Sequence, residues 1–226
     1  MRIAEQHPWK VTYQEAVSIQ ERLRRELIRT GDPGTPKLVA GADVAYSKEK
    51  CRVYAAVVVL AYPEMEEVET ATASGRSEFP YIPGLLTFRE GPVMLRAFEK
   101  VAHVPEVVMF DGQGYSHPRR MGLAGHMGVL LNVPSIGCAK TRLVGEYEAP
   151  GNDVGDWSPL ADEGEVIGRV VRTRRGVKPM FISVGHKIGL EAATRLVLAC
   201  VRGYRLPEPT RRAHLLVREV YRIDQS

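Results

Sequence analysis

Apolar residues along the chain change their spacing several times, and each change marks a different kind of element. Ala16, Ile19, Leu23 and Leu27 recur every three or four positions, which predicts a helix over residues 12–29. Thr12 can cap it, with Glu15 three positions on as the capping-box partner, and Gly31-Asp32-Pro33-Gly34 stops it. Residues 38–46, 53–62 and 66–76 then read as strands. The middle one, Val53 to Tyr62, is apolar throughout, as expected of a strand buried on both faces. The turns between the three are short, so they predict an antiparallel meander.

The helical period returns at Met94, Ala97, Phe98 and Val101, with Pro92 placed to open that helix. A short apolar strand, 106–111, ends in Asp111. A Gly-rich helical stretch, 121–131, follows, and a strand over 134–140 ends in Lys140. Strand, helix, strand, helix, strand implies parallel pairing through crossover helices. Beyond a polar loop, 145–164, residues 165–172 and 179–184 form a hairpin around Arg174-Arg175-Gly176. A helix covers 189–200 and a last one begins near Pro209. No linker, repeat or low-complexity tract interrupts this order. The chain therefore reads as one α/β domain over 1–226: an antiparallel three-strand meander plus parallel strands in a mixed sheet, flanked by helices.

Composition narrows the function classes. A chain of 226 residues buries enough surface to need no disulfide or structural metal. Cys51, Cys138 and Cys200 are widely spaced with no CxxC, which argues against a zinc site and fits a reducing, cytoplasmic setting. The opening residues, Met1 to His7, do not form a signal peptide, and the longest apolar run is too short to span a membrane. The net charge of +4 suits a polyanionic partner. Arginines cluster at Arg22-Arg24-Arg25, Arg119-Arg120, Arg172-Arg174-Arg175 and Arg211-Arg212. Each cluster reads either as a phosphate contact or as a solvated face.

Three acidic residues stand out. Asp43 interrupts the apolar stretch Leu38 to Ala45, where a buried carboxylate needs a partner. Asp111 ends a strand beside glycines, a frequent place for a functional group in α/β sheets, although it can equally cap the turn at Gly112-Gln113-Gly114. Glu90 lies just ahead of Pro92, where on its own it reads as a solvated residue before a helix. If the first and fourth strands are neighbours, Asp43 and Asp111 share one site. Converging carboxylates repel, and a hard divalent cation such as Mg²⁺ resolves the repulsion with few protein ligands. Lys140 would reach the same edge and face a phosphate or a water, or else sit in solvent. His214, on the last helix, reads as functional or structural. Phe79-Pro80-Tyr81-Ile82-Pro83-Gly84 is a stiff, extended loop, because each proline fixes its own φ and keeps the residue before it out of helix. One thing such a loop can insert into is a stack of bases.

The stretch from Phe79 to Leu86, with Phe88-Arg89-Glu90-Gly91-Pro92, resembles the signature of the endonuclease V family, the deoxyinosine 3′-endonucleases. So do Phe110-Asp111-Gly112-Gln113-Gly114, His117-Pro118-Arg119, Gly137-Cys138-Ala139-Lys140 and Pro207-Glu208-Pro209-Thr210-Arg211. The matches run in order from about Asp43 to His214. The resemblance implies a ribonuclease H-like fold and Mg²⁺-dependent hydrolysis, with Mn²⁺ able to substitute. The bond cut would be the second phosphodiester 3′ of a hypoxanthine, leaving 3′-hydroxyl and 5′-phosphate ends. It also implies that Asp43, Glu90 and Asp111 bind metal, that Lys140 acts on phosphate or water, and that His214 sits near the metal. Pro80, Tyr81, Ile82 and Pro83 would be the wedge. Where related folds often supply a fourth carboxylate, His214 replaces it or one metal suffices. The partner is deoxyinosine-containing DNA, with inosine-containing RNA a further candidate and no membrane involved.

Hypoxanthine presents a 6-oxo acceptor and an N1 donor and lacks a 2-amino group. A pocket for it offers a backbone N–H to O6 and leaves no room at C2. Gly84, Gly112, Gly122 and Gly137 allow such close approach, with Leu85 and His117 as walls. Two other readings stay open: a different ribonuclease H-like nuclease, such as an inosine-RNA ribonuclease or a junction resolvase, and a non-catalytic nucleic-acid-binding module. The acidic trio argues against the last, since a pure binder gains nothing from carboxylates facing phosphate.

Overall fold

Eight strands form one mixed sheet in the computed structural model, which describes residue 3 and residues 7–225. Met1, Arg2, Ala4, Glu5, Gln6 and Ser226 lie outside the described residues, and with them most of the opening segment read above for a signal peptide. In chain order the strands are β1 (Leu38–Ser47), β2 (Arg52–Ala61), β3 (Glu66–Arg76), β4 (Val107–Phe110), β5 (Ser135–Ala139), β6 (Trp157–Asp162), β7 (Glu165–Val171) and β8 (Met180–His186). The helices are α1 (Tyr13–Arg24), α2 (Leu86–Glu99), α3 (Leu123–Leu131), α4 (Leu190–Ala199) and α5 (Glu208–Gln225). The spatial order is β3-β2-β1-β4-β5-β8-β7-β6. β1–β2 and β2–β3 pair antiparallel, whereas β1–β4 and β4–β5 pair parallel. This is the expected ribonuclease H-like arrangement.

Helices cover both faces of the sheet, and β2 shows why its sequence is apolar throughout. Val53, Ala55, Val57 and Val59 pack with α2 residues Val93, Met94, Ala97 and Phe98. The alternate residues Tyr54 and Ala56 pack with Val217 of α5. Successive side chains of a strand point to opposite faces, so a strand covered twice has no polar positions to spare. α3 shares the α2 face, through Leu123, Ala124 and Met127, and α4 lies on the α5 face, through Ala192, Ala193 and Leu196.

Three boundaries differ from the sequence reading. α1 ends at Arg24 rather than 29, because Leu27 turns away to pack near Gly125 of α3 and the Ile28 N–H donates to His186 Nδ1 at 3.3 Å. Its N-terminus is as expected: the Thr12 N–H donates to Glu15 Oε2 at 2.7 Å, and the Glu15 N–H to Thr12 Oγ1 at 3.3 Å. α2 begins at Leu86, not at Pro92, so Glu90 lies inside the helix. Pro92 removes one helical N–H, and burial of Thr87, Phe88, Glu90, Gly91 and Val93 outweighs that loss. The polar loop 145–164 holds the edge strand β6, in which Ser158 and Leu160 are buried and Trp157 and Pro159 are exposed. Proline is tolerated on such an edge, where no neighbour needs its N–H.

Candidate metal centre and nucleic-acid pocket

Alternation along three adjacent strands places the candidate residues on one face. On β1, Gly41 and Asp43 face α5. On β4, Val107 and Met109 point the same way, and Asp111 follows them in phase. On β5, Ile136 and Cys138 do so, followed by Lys140. The parallel register pairs Ala42 with Phe110, so Asp43 and Asp111 continue side by side past that pair. The Asp111 N–H donates to the Ala42 carbonyl at 3.1 Å and fixes this placement.

α5 closes the site from above. An added Cβ on Gly41 would overlap the Pro209 carbonyl, so the first turn of α5 lies directly on β1. From there the helix carries His214 to Asp43, with Nδ1 2.7 Å from Oδ2. The other Asp43 oxygen accepts from the Val44 N–H at 2.8 Å. Lys140 pairs with Asp111, and the Lys140 carbonyl accepts from Arg205 at 2.5 Å. Arg205 also donates to the Pro179 carbonyl at 2.7 Å. Arg205 gave no sequence signal, because it acts through backbone groups distant in the chain.

Ligand atoms of Asp43, Asp111 and His214 all lie within 4.8 Å of one another. Burial and then the charge of Asp111 push the Asp43 carboxyl up to about 6. Glu90 is not in that tight group, because it arrives from α2 on the opposite face of the sheet. It is buried, and burial pushes it up to about 8, with Asp43 and Asp111 adding to the effect. Carboxylates crowded in this way, with oxygen and imidazole donors converging, are a donor set that fits a divalent cation.

Beside the carboxylates lies a cavity of about 360 Å³, within the range of small-ligand sites. Tyr81, Ile82, Pro83 and Gly84 form one wall, Gly112, His117 and Gly122 another, and Asp111 and Lys140 one end. Leu85 and Gly137 do not line it. Leu85 turns into an apolar cluster with Ala16, Phe79 and Phe88, and Gly137 packs beneath the Gly112–Gly114 backbone. Tyr81 is 67% exposed, while Ile82 is half-buried on the Leu85 cluster, so of the two clamped side chains it is the tyrosine that faces outward. The Leu85 N–H closes the turn on the Ile82 carbonyl at 3.0 Å, with Gly84 at φ +79° as a type II turn requires. Behind the loop, the Arg89 guanidinium lies 3.4 Å from the Tyr46 ring and 5.4 Å from the Tyr81 ring, a stack that no sequence pattern announced. His117 donates through Nε2 to the Gly84 carbonyl at 3.0 Å and accepts the Arg119 N–H on Nδ1 at 3.1 Å. Burial, then Arg119, pushes its pKa down to about 4, so the ring is neutral.

Several clustered arginines serve the fold instead of a phosphate. Arg120 pairs with Asp162 and Glu165, Arg172 donates to the carbonyls of Pro150, Gly151 and Val177, and Arg211 and Arg212 pair with Glu208. No helix among the described residues is long and apolar enough to cross a membrane.

The sheet order and the acidic group define a nuclease on a ribonuclease H-like fold. A sequence model of the Endonuclease V family matches residues 21–215. An endonuclease V of Dehalococcoides mccartyi is 50% identical over 220 residues, covering 97% of this chain and 99% of that protein. The crystal structure of endonuclease V from Streptomyces avermitilis superimposes with a TM-score of 0.92 at 43% identity, covering 96% of each chain. Endonuclease V of Ciona intestinalis has been solved with a 24mer DNA containing an inosine followed by a ribo-adenosine. It matches with a TM-score of 0.81 at 32% identity, covering 92% of this chain and 97% of that one. The chain belongs to the endonuclease V family.

Proposed function

We propose that this nuclease is a DNA repair endonuclease that recognises deoxyinosine and hydrolyses the second phosphodiester 3′ of it, leaving 3′-hydroxyl and 5′-phosphate ends. The whole chain, residues 1–226, works as one domain. The observation that carries this reading is the adjacency of a base-sized cavity, an exposed tyrosine at its lip and a carboxylate group at its end. A relative binding inosine-containing DNA supports it.

Each residue has a physical role in this reading. Tyr81 enters the stack vacated by a flipped base, with Pro80, Ile82 and Pro83 keeping it extended. The backbone around Gly84, Gly112 and Gly122 meets the edge of hypoxanthine, and neutral His117 holds one wall through the Gly84 carbonyl. Asp43, Asp111 and Glu90 would hold Mg²⁺ or Mn²⁺, with His214 orienting Asp43. A cation bound there supplies charge stabilisation for the phosphoryl transition state and activates water. Lys140 exchanges Asp111 for a phosphate oxygen as nucleic acid arrives.

The direct test is nicking of a deoxyinosine duplex, set against an undamaged duplex, an inosine-containing RNA and a four-way junction, with and without Mg²⁺. Selective, Mg²⁺-dependent nicking of the inosine strand is expected. On the same substrate Tyr81→Ala should weaken binding by about 1–3 kcal/mol, the scale of one lost base stack. Preferential junction cutting, or full activity in chelator, would overturn the assignment.

A second expectation concerns pH. Asp43 and Glu90 have folded-state pKa values raised to about 6 and about 8. Their contribution to stability is therefore present at low pH and lost as pH rises through those values. A cation that binds the ionised forms reverses the loss. The Mg²⁺-induced rise in Tm should be small near about pH 5.5 and large near about pH 8.5. Glu90→Gln should remove the upper part of that dependence. An equal Mg²⁺ effect at both pH values would remove these carboxylates from the metal site.

A further inference from the structure

The exit of the proline loop is held at the Gly84 carbonyl by His117, Arg119 and a buried amide, that of Gln20. Gln20 lies on α1, one residue before the span matched by the family model, and is 1% exposed. Its Nε2 donates to the Gly84 carbonyl at 2.9 Å and to the Met121 carbonyl at 3.0 Å. Its Oε1 accepts from Arg119 Nε at 2.6 Å, and Arg119 also donates to the Gly84 carbonyl at 2.7 Å. The amide can sit only one way round. A flipped group would set its oxygen against two carbonyls and its N–H against a guanidinium.

One carbonyl that Gln20 joins is on a lining residue of the cavity, and the other is on the residue just before one. Gly84 lines the loop wall, and Met121 precedes Gly122, which lines the wall at the start of α3. Both N–H bonds of one rigid, planar group are used, so Gln20 ties the loop to the start of α3 alongside the direct His117–Gly84 bond. Arg119 immobilises the third corner of the same group. A merely buried glutamine would need its polar atoms satisfied, but nothing would require its two donors to bridge the two sides of a ligand cavity.

We propose that Gln20 is a positioning residue that sets the width of the base pocket, and with it the discrimination at purine C2. The inference rests on reading this cavity as the base pocket. A purine with a substituent at C2 needs more room between the walls than hypoxanthine, so loss of the bridge relaxes selectivity before it abolishes cleavage. Gln20 touches no candidate metal ligand, so its effect on the substrate ratio is separable from the chemistry of the site.

The test compares kcat/KM on deoxyinosine duplex with that on deoxyxanthosine duplex, which carries a 2-oxo group, alongside thermal melts. Gln20→Leu removes all the polar contacts. Gln20→Glu keeps the size and the Arg119 pairing but loses both donors, and it serves if the leucine variant fails to fold. The expected result in either variant is a drop of about tenfold on deoxyinosine and a smaller loss, or a gain, on deoxyxanthosine. The ratio of the two then shifts toward deoxyxanthosine, by about tenfold where activity on that lesion is unchanged. Equal losses on both substrates would show a purely structural role, and unchanged kinetics would show none; each overturns the proposal. A parent enzyme that nicks neither lesion overturns the base-pocket reading itself, and this inference falls with it. A parent that nicks deoxyinosine while the variants keep its ratio overturns the inference alone.

Discussion

Replacing Asp111 with asparagine should lower nicking of a deoxyinosine duplex by about 10³-fold or more, the effect of losing several kcal/mol of charge stabilisation in the transition state. Asparagine keeps the size and the strand-end position fixed by the N–H bond to Ala42. It removes the charge that, beside Asp43, makes the site attractive to a cation. Binding in metal-free buffer should be retained or tightened, because one negative group facing phosphate is gone and Lys140 loses the carboxylate that it now pairs with. Asp43→Asn should behave alike in cleavage, and its amide oxygen can still accept from His214. Nicking in Mg²⁺ and electrophoretic shift in chelator are the two measurements. Cleavage within about tenfold of the parent would remove Asp111 from the metal site.

The second large effect concerns a residue with no side chain. Gly41→Val should destabilise the protein by about 3 kcal/mol, lowering Tm by about 6–12 °C for a chain of this length. The added atoms would overlap the Pro209 carbonyl, and backbone on both sides leaves no side chain to move aside. The first turn of α5 would have to lift, drawing His214 away from Asp43. Cleavage should therefore fall even where the variant remains folded. Gly34→Ala is the matched control. It sits at φ +65° with nothing within 4 Å, so it carries only the conformational cost of about 1 kcal/mol. Equal melting shifts for the two would show that the contact with Pro209 is unimportant.

Much of this was readable from the residues themselves, and the failures have physical causes. β2 announces its double burial because Val53 to Ala61 are apolar throughout, whereas the shared site of Asp43 and Asp111 follows only on the condition that the first and fourth strands are neighbours, which the β1–β4 pairing meets. Pro92 misled the reading of α2, because proline is expected in a first turn and packing overrode the local rule. That error hid the burial of Glu90, which looked like a solvated residue ahead of a helix. β6 was missed because Pro159 and polar neighbours read as loop, and an edge strand tolerates both. Leu85 was assigned to the pocket on proximity in sequence, but the turn at Pro83-Gly84 points it the other way, into the core. Gln20 was invisible, because a polar residue on a surface-type helix gives no sign that it reaches two carbonyls 64 and 101 residues away.

The close seating of α5 on β1 also bears on the order in which the chain is made. Asp43, Glu90, Asp111 and Lys140 are all synthesised before the helix that carries His214. A ribosome-bound chain that has emerged only as far as Arg205 can pair β1 with β4 and bring the carboxylates together. It lacks the imidazole, and it leaves one face of β1 and β2 bare. With His214 orienting Asp43 as proposed above, hydrolytic competence follows the docking of α5, which is made after the elements that carry the carboxylates.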